Sequence, residues 1–79
     1  MIRFSKTTSW TSGWRGKNNR TDFYVGASQR GTIKGTESLG SREMSYVIEF
    51  VDGRRFIPAD TLAAAKARVR ELLTKELAA

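Results

Sequence analysis

The chain has neither cysteine nor histidine, and only one proline among its 79 residues. Without cysteine there is no disulfide, no thiol nucleophile and no thiolate metal site; without histidine there is no imidazole base or ligand. The lack of cysteine suits a reducing, cytoplasmic setting. Long apolar runs are missing too. None approaches the ~18 residues that a membrane-spanning helix needs, so no membrane partner is expected. The opening Met1-Ile2-Arg3-Phe4-Ser5-Lys6 has no apolar stretch of the kind that drives secretion, so no secretory signal is expected.

Acidic residues are few and dispersed. Asp22, Glu37, Glu43, Glu49 and Asp60 suggest no acid–base couple and no metal cluster. Gly13, Gly16, Gly31, Gly35 and Gly40 build no phosphate loop, because no Gly-Lys-Ser/Thr run opens a helix. Asn19-Arg20-Thr21 matches the glycosylation pattern, a chance match in a basic chain for which no secretory leader is expected. These absences point away from an enzyme, and no cofactor is expected.

What is present in excess is positive charge, a net +6. Through Gly40 there are seven basic residues against two acids; from Ser41 onward seven stand against six. Five of the six surplus charges therefore belong to the front half, which is also the half with the weaker periodic pattern.

Structure is specified most clearly between Met44 and Leu77. Tyr46, Ile48 and Phe50 alternate with Ser45, Val47 and Glu49, the two-residue period of a half-buried strand. Asp52-Gly53 is a turn signal, and Phe56-Ile57 lies on the return strand. A two-residue loop would set Ile57 beside Ile48. An odd loop with a bulge at Gly53 sets Phe56 there instead, and is preferred because it buries the larger ring. Pro58 ends the strand.

Asp60 or Thr61 then caps a helix whose Leu62, Ala65, Val69, Leu72, Leu73 and Leu77 share one face. Arg68, Arg70, Glu71, Thr74 and Lys75 fall on the other face, a solvated surface.

Upstream, Ile2 and Phe4 alternate with Arg3 and Ser5 as in a short strand. Lys6 to Asn19 reads as a polar loop that carries two tryptophans, Trp10 and Trp14. Thr21 to Ser28 reads as a strand, with Phe23, Val25 and Ala27 on one face and a bulge at Gly26. Gln29-Arg30-Gly31 looks like a turn, Thr32-Ile33-Lys34 its return strand, and Gly35 to Arg42 a second loop pinned by Leu39. Strands first and one helix last predict a single small α+β domain over residues 1–79. Its antiparallel sheet would have four to five strands, with the C-terminal amphipathic helix packed on one face.

The order strand, Asp52-Gly53-Arg54 hairpin, strand, then the Thr61-Leu62-Ala63-Ala64-Ala65 helix start covers Met44 to Leu77. It resembles the three-stranded N-terminal DNA-binding domains of phage integrases. It is similar as well to several small phage-encoded inhibitors of host enzymes, including some anti-CRISPR proteins. The first resemblance implies DNA as partner and the second a host protein. Acidic mimicry of nucleic acid, common among anti-CRISPR proteins, does not suit a charge of +6. The front half carries no such resemblance, and no functional residue is transferred.

The candidate surface is Trp10, Trp14, Arg15, Lys17, Asn18, Arg20, Tyr24, Arg30 and Lys34, with Arg54 and Arg55 at the hairpin tip. Cations would meet phosphates while flat rings stack on bases. In the competing reading the tryptophans close the core, the loop cations are a solvated rim, and the tip arginines protect a sheet edge from aggregation. The expected function is a small, non-enzymatic nucleic-acid-binding protein (DNA or RNA) of low sequence specificity. The alternative is a phage or mobile-element inhibitor or adaptor that docks a Trp/Arg surface on an acidic protein surface, for example an anti-CRISPR-like or polymerase-inhibitor-like protein. Either could act as monomer or homodimer.

Overall fold

The computed structural model describes residues 1–11, 16–37, 44–57 and 61–78. Its elements are β1 (Ile2–Phe4), β2 (Thr8–Thr11), β3 (Lys17–Val25), β4 (Ser28–Glu37), β5 (Met44–Phe50), β6 (Arg55–Phe56) and α1 (Leu62–Ala78). They form an antiparallel sheet ordered β1-β3-β4-β5-β6, with β2 also paired to β3, and one C-terminal helix. The α+β expectation holds, with six strands rather than four or five.

The long strand β3 organises the front half. Its C-terminal part pairs with β1 and its N-terminal part with β2, so β1 and β2 share one sheet edge. The bend between them is pinned by side chains. Asp22 N–H donates to Ser5 Oγ at 2.9 Å, and the Thr7 and Thr21 hydroxyls lie 2.7 Å apart.

β2 falls inside the stretch expected to be a loop. All four of its residues are exposed, so no buried/exposed alternation marks it. What it has is backbone preference, since Thr and Trp are favoured in strands.

The first hairpin turns at Gly26-Ala27, between the paired Val25 and Ser28, and not at Gln29-Arg30-Gly31. Gly26 takes a positive φ of 59°, which a turn requires and glycine adopts without steric cost. The bulge sits further on. Phe23 faces Gly31 while Tyr24 faces Gln29, which leaves Arg30 as the extra residue of β4. Gly31 is a glycine for close packing, because a Cβ there would run into the Glu49 carbonyl oxygen and the Phe23 ring.

The second hairpin has the odd loop. Ile48 pairs with Phe56 and Glu49 with Arg55, Gly53 has φ 98°, and Ile57 is exposed. The Phe50 ring then meets Phe23 and Phe56 edge to face, at 5.3 and 5.6 Å. Such pairs add about 0.5–1.5 kcal/mol to area burial.

α1 is capped by Thr61, whose Oγ1 accepts the Ala64 N–H at 3.2 Å. Ala65, Val69 and Leu73 are fully buried against Phe23, Ile33, Tyr46, Ile48 and Phe50. Leu77, expected on this face, is instead exposed. The last turn is held by Glu76, which pairs with Arg30 at 3.2 Å and with Arg54. At the flank of the helix, Lys66 and Arg70 lie over the Phe4 ring. The strand end expected at Pro58, the alternative helix cap at Asp60 and the pin at Leu39 lie outside the described residues.

Candidate nucleic-acid interface

Strand alternation sorts the sheet into two faces. Paired residues share a face, so the rows Thr21-Ile33-Ile48-Phe56 and Phe23-Gly31-Phe50 look toward α1. The intervening rows look away from it: Trp10-Asn18-Thr36-Ser45, then Thr8-Arg20-Lys34-Val47, then Asp22-Thr32-Glu49-Arg55, and finally Arg3-Tyr24-Gln29. No described helix covers that second face.

The helix-free face therefore collects Trp10, Asn18, Arg20, Tyr24, Lys34 and Arg55 from the eleven candidate residues. Arg30 and Arg54 do not join them. The bulge turns Arg30 to the helix side, and Arg54 stacks 4.5 Å over Phe50 while bonding Asp52 and Glu76. Lys17 alternates to the helix side as well. Trp14 and Arg15 lie outside the described residues.

Arg3 was not among the candidates. Its guanidinium covers the Tyr24 ring at 4.7 Å, and its Nε donates to the Gly26 carbonyl at 2.9 Å. The alternation of Arg3 with Ile2 and Phe4 was the signal that could have found it.

The cations of this face are not bare. Arg20 pairs with Asp22 at 3.1 Å, Lys34 with Glu49 at 3.2 Å, and Arg55 with the same Glu49 at 3.7 Å. Thr32 Oγ1 also donates to Asp22, at 2.9 Å. Among the described residues, four cations (Arg3, Arg20, Lys34, Arg55) stand against two carboxylates on this face, a local surplus of two. The paired cation side chains remain 49%, 52% and 68% exposed. Solvated pairs of this kind contribute about 0–1 kcal/mol each, so an incoming phosphate can displace a carboxylate at small cost.

Trp10 is 49% exposed and does not close the core. It borders two shallow hollows. One, of about 300 Å³, lies between Trp10, Arg20, Lys34 and Thr36; the other, of about 440 Å³, lies toward Ser9, Lys17 and Met44. Both are at the small end of ligand-sized depressions. Asn18 and Asn19 line both. Asn19 Oδ1 is buried with no hydrogen-bond partner among the described residues. It rests on Gly35, where a Cβ would strike both it and the Tyr46 ring.

No known protein family, curated protein or solved structure matches this chain. The site is therefore read from its own geometry. That geometry offers two separated rings with cations between them. Trp10 pairs with Asn18, and Tyr24 lies six residues further along β3, about 20 Å at strand rise. Arg20 and Lys34 occupy the interval, and Arg55 lies on the same face across β5. Among the described residues, no group of His, Cys, Asp and Glu could hold a metal ion, and no helix is long and apolar enough to cross a membrane.

Proposed function

We propose that the chain is a small, non-enzymatic nucleic-acid-binding protein of low sequence specificity, acting in the cytoplasm through the helix-free face of its sheet. One observation carries this reading. Strand register gathers Trp10, Arg20, Lys34, Tyr24 and Arg3 on a single face that no described helix covers. A polar sheet face with spaced rings and cations suits an unpaired strand, whose bases stack while its phosphates meet the cations. Stacking tolerates every base, which is why low specificity is expected.

The test is a titration of the protein with labelled duplex DNA, single-stranded DNA and RNA from about 50 to 200 mM salt. Log affinity should fall linearly with log salt, by about 0.7 per phosphate contact on a single strand and about 0.9 on a duplex. Absence of binding at the lowest salt would retire the reading.

The second reading is an inhibitor or adaptor of the kind phages and mobile elements encode, docked on an acidic protein surface. The observation in its favour is the mosaic of ion pairs beside an exposed tryptophan, since Trp, Tyr and Arg dominate protein interfaces. Capture of a stoichiometric partner from nuclease-treated lysate would favour it, and loss of all partners after nuclease would favour the first.

A further inference from the structure

We infer that β2 is a pairing edge for a second copy of this chain, so that two sheets join into one through their β2 strands. The sheet's edges differ in how they are protected. β6 has two residues, one of them Arg55, and β1 has three, centred on Arg3. Both carry the shortness and charge that ordinarily protect an edge. β2 has neither. Thr8-Ser9-Trp10-Thr11 is uncharged, free of proline and glycine, exposed throughout, and in unbroken register with β3. Its outer side is a template of backbone donors and acceptors on residues that favour strands.

Two features select a second copy over a foreign peptide. Edge-binding domains draw specificity from pockets for alternate side chains of the added strand. Here the helix packs chiefly on β5 and β4, three and two strands in from β2, and lines neither of the shallow hollows beside Trp10, which are walled by the sheet's own residues. The segment is also self-compatible: it has no charge to repel its own copy in a chain that carries +6 elsewhere.

Geometry limits the arrangement. Antiparallel edges join into one sheet only by a two-fold axis normal to the sheet, which keeps both helices on one side. Directly opposed residues must then lie on the same face, so each position can face only positions of like parity. Ser9 faces the partner's Ser9 in one allowed register and the partner's Thr11 in the next. In both, the two Trp10 rings lie close together at the seam on the helix-free side. Exposed in one copy, they become a cross-strand aromatic pair or pack on the partner's Thr8.

The inference shares Trp10 with the proposed nucleic-acid surface but is tested without nucleic acid. Mass is measured by light scattering and sedimentation from low to high micromolar protein, for wild type and for Ser9→Lys and Ser9→Glu. Ser9 is exposed, so neither variant disturbs the core, and circular dichroism confirms the fold. Wild type should double in mass as concentration rises. Each variant alone should stay at single mass, because like charges would lie directly opposite each other across the seam in the first register and diagonally in the second. Mixing the two should restore the doubled mass. Wild type of single mass throughout would overturn the inference, and so would variants that remain double or a mixture that remains single.

Discussion

The two faces of this sheet are made by the same strands and are chemically unlike. Toward the helix, Phe23, Ile33, Ile48, Ala65, Val69 and Leu73 are fully buried in one apolar cluster. Away from it lie threonines, ion pairs and two rings, with Trp10 half-exposed. The first face accounts for the fold. The second contributes little to stability, because exposed pairs are individually weak. Its rings and cations therefore call for an explanation from binding. The contrast shows how alternate residues of one strand can be given to separate tasks: in β3, Thr21 and Phe23 serve packing while Asn18, Arg20 and Tyr24 face outward.

The packed face is the more sensitive of the two to substitution. Ile48→Ala removes a fully buried side chain between Ile33 and Phe56 and should cost about 2–5 kcal/mol, read as a lower denaturation midpoint. A loss below about 1 kcal/mol would mean that the row is not the core. Gly31→Ala, next in size, should cost about 1–3 kcal/mol by forcing a Cβ against the Glu49 carbonyl and the Phe23 ring. If Gly31 were only a turn residue of ordinary φ, the same change would be neutral.

The smallest effect concerns the hairpin tip. Hydrogen bonding from the Arg54 guanidinium holds Asp52 below the usual carboxylate range. A depressed folded-state pKa gives stability that is present above the unfolded value and lost as pH falls through the folded one. The Asp52 side chain is exposed to solvent, so only a slight acid-side change in stability is expected. Carboxyl NMR should show the Asp52 midpoint rising in Arg54→Ala. An unchanged midpoint would remove the pair from the account.

The back half was readable because its residues obey simple rules. Tyr46, Ile48 and Phe50 alternate and are buried, and the larger ring, Phe56, took the place beside Ile48. The front half misled where a residue type has two uses. Gly31 was read as a turn glycine but serves close approach to Phe23, and Gly26 makes the turn. β2 gave no burial period, since a strand exposed on both faces has none. The candidate surface was legible as composition but not as arrangement. Nothing in the chain order tells that the Arg30 bulge sends one cation to Glu76 on the helix, while Arg20 and Lys34 stay together across β3 and β4.

The central claim is that the helix-free face meets the polyanion, and one variant tests it directly. Arg20→Gln, Lys34→Gln and Arg55→Gln are combined, and binding of single-stranded DNA and RNA is followed across salt together with thermal stability. The account predicts a fold that survives, losing no more than about 1 kcal/mol for each of the three exposed pairs removed, and a log–log salt slope shallower by about two units, three lost contacts at about 0.7 each. An unchanged slope at unchanged stability would place any nucleic-acid binding elsewhere on the molecule.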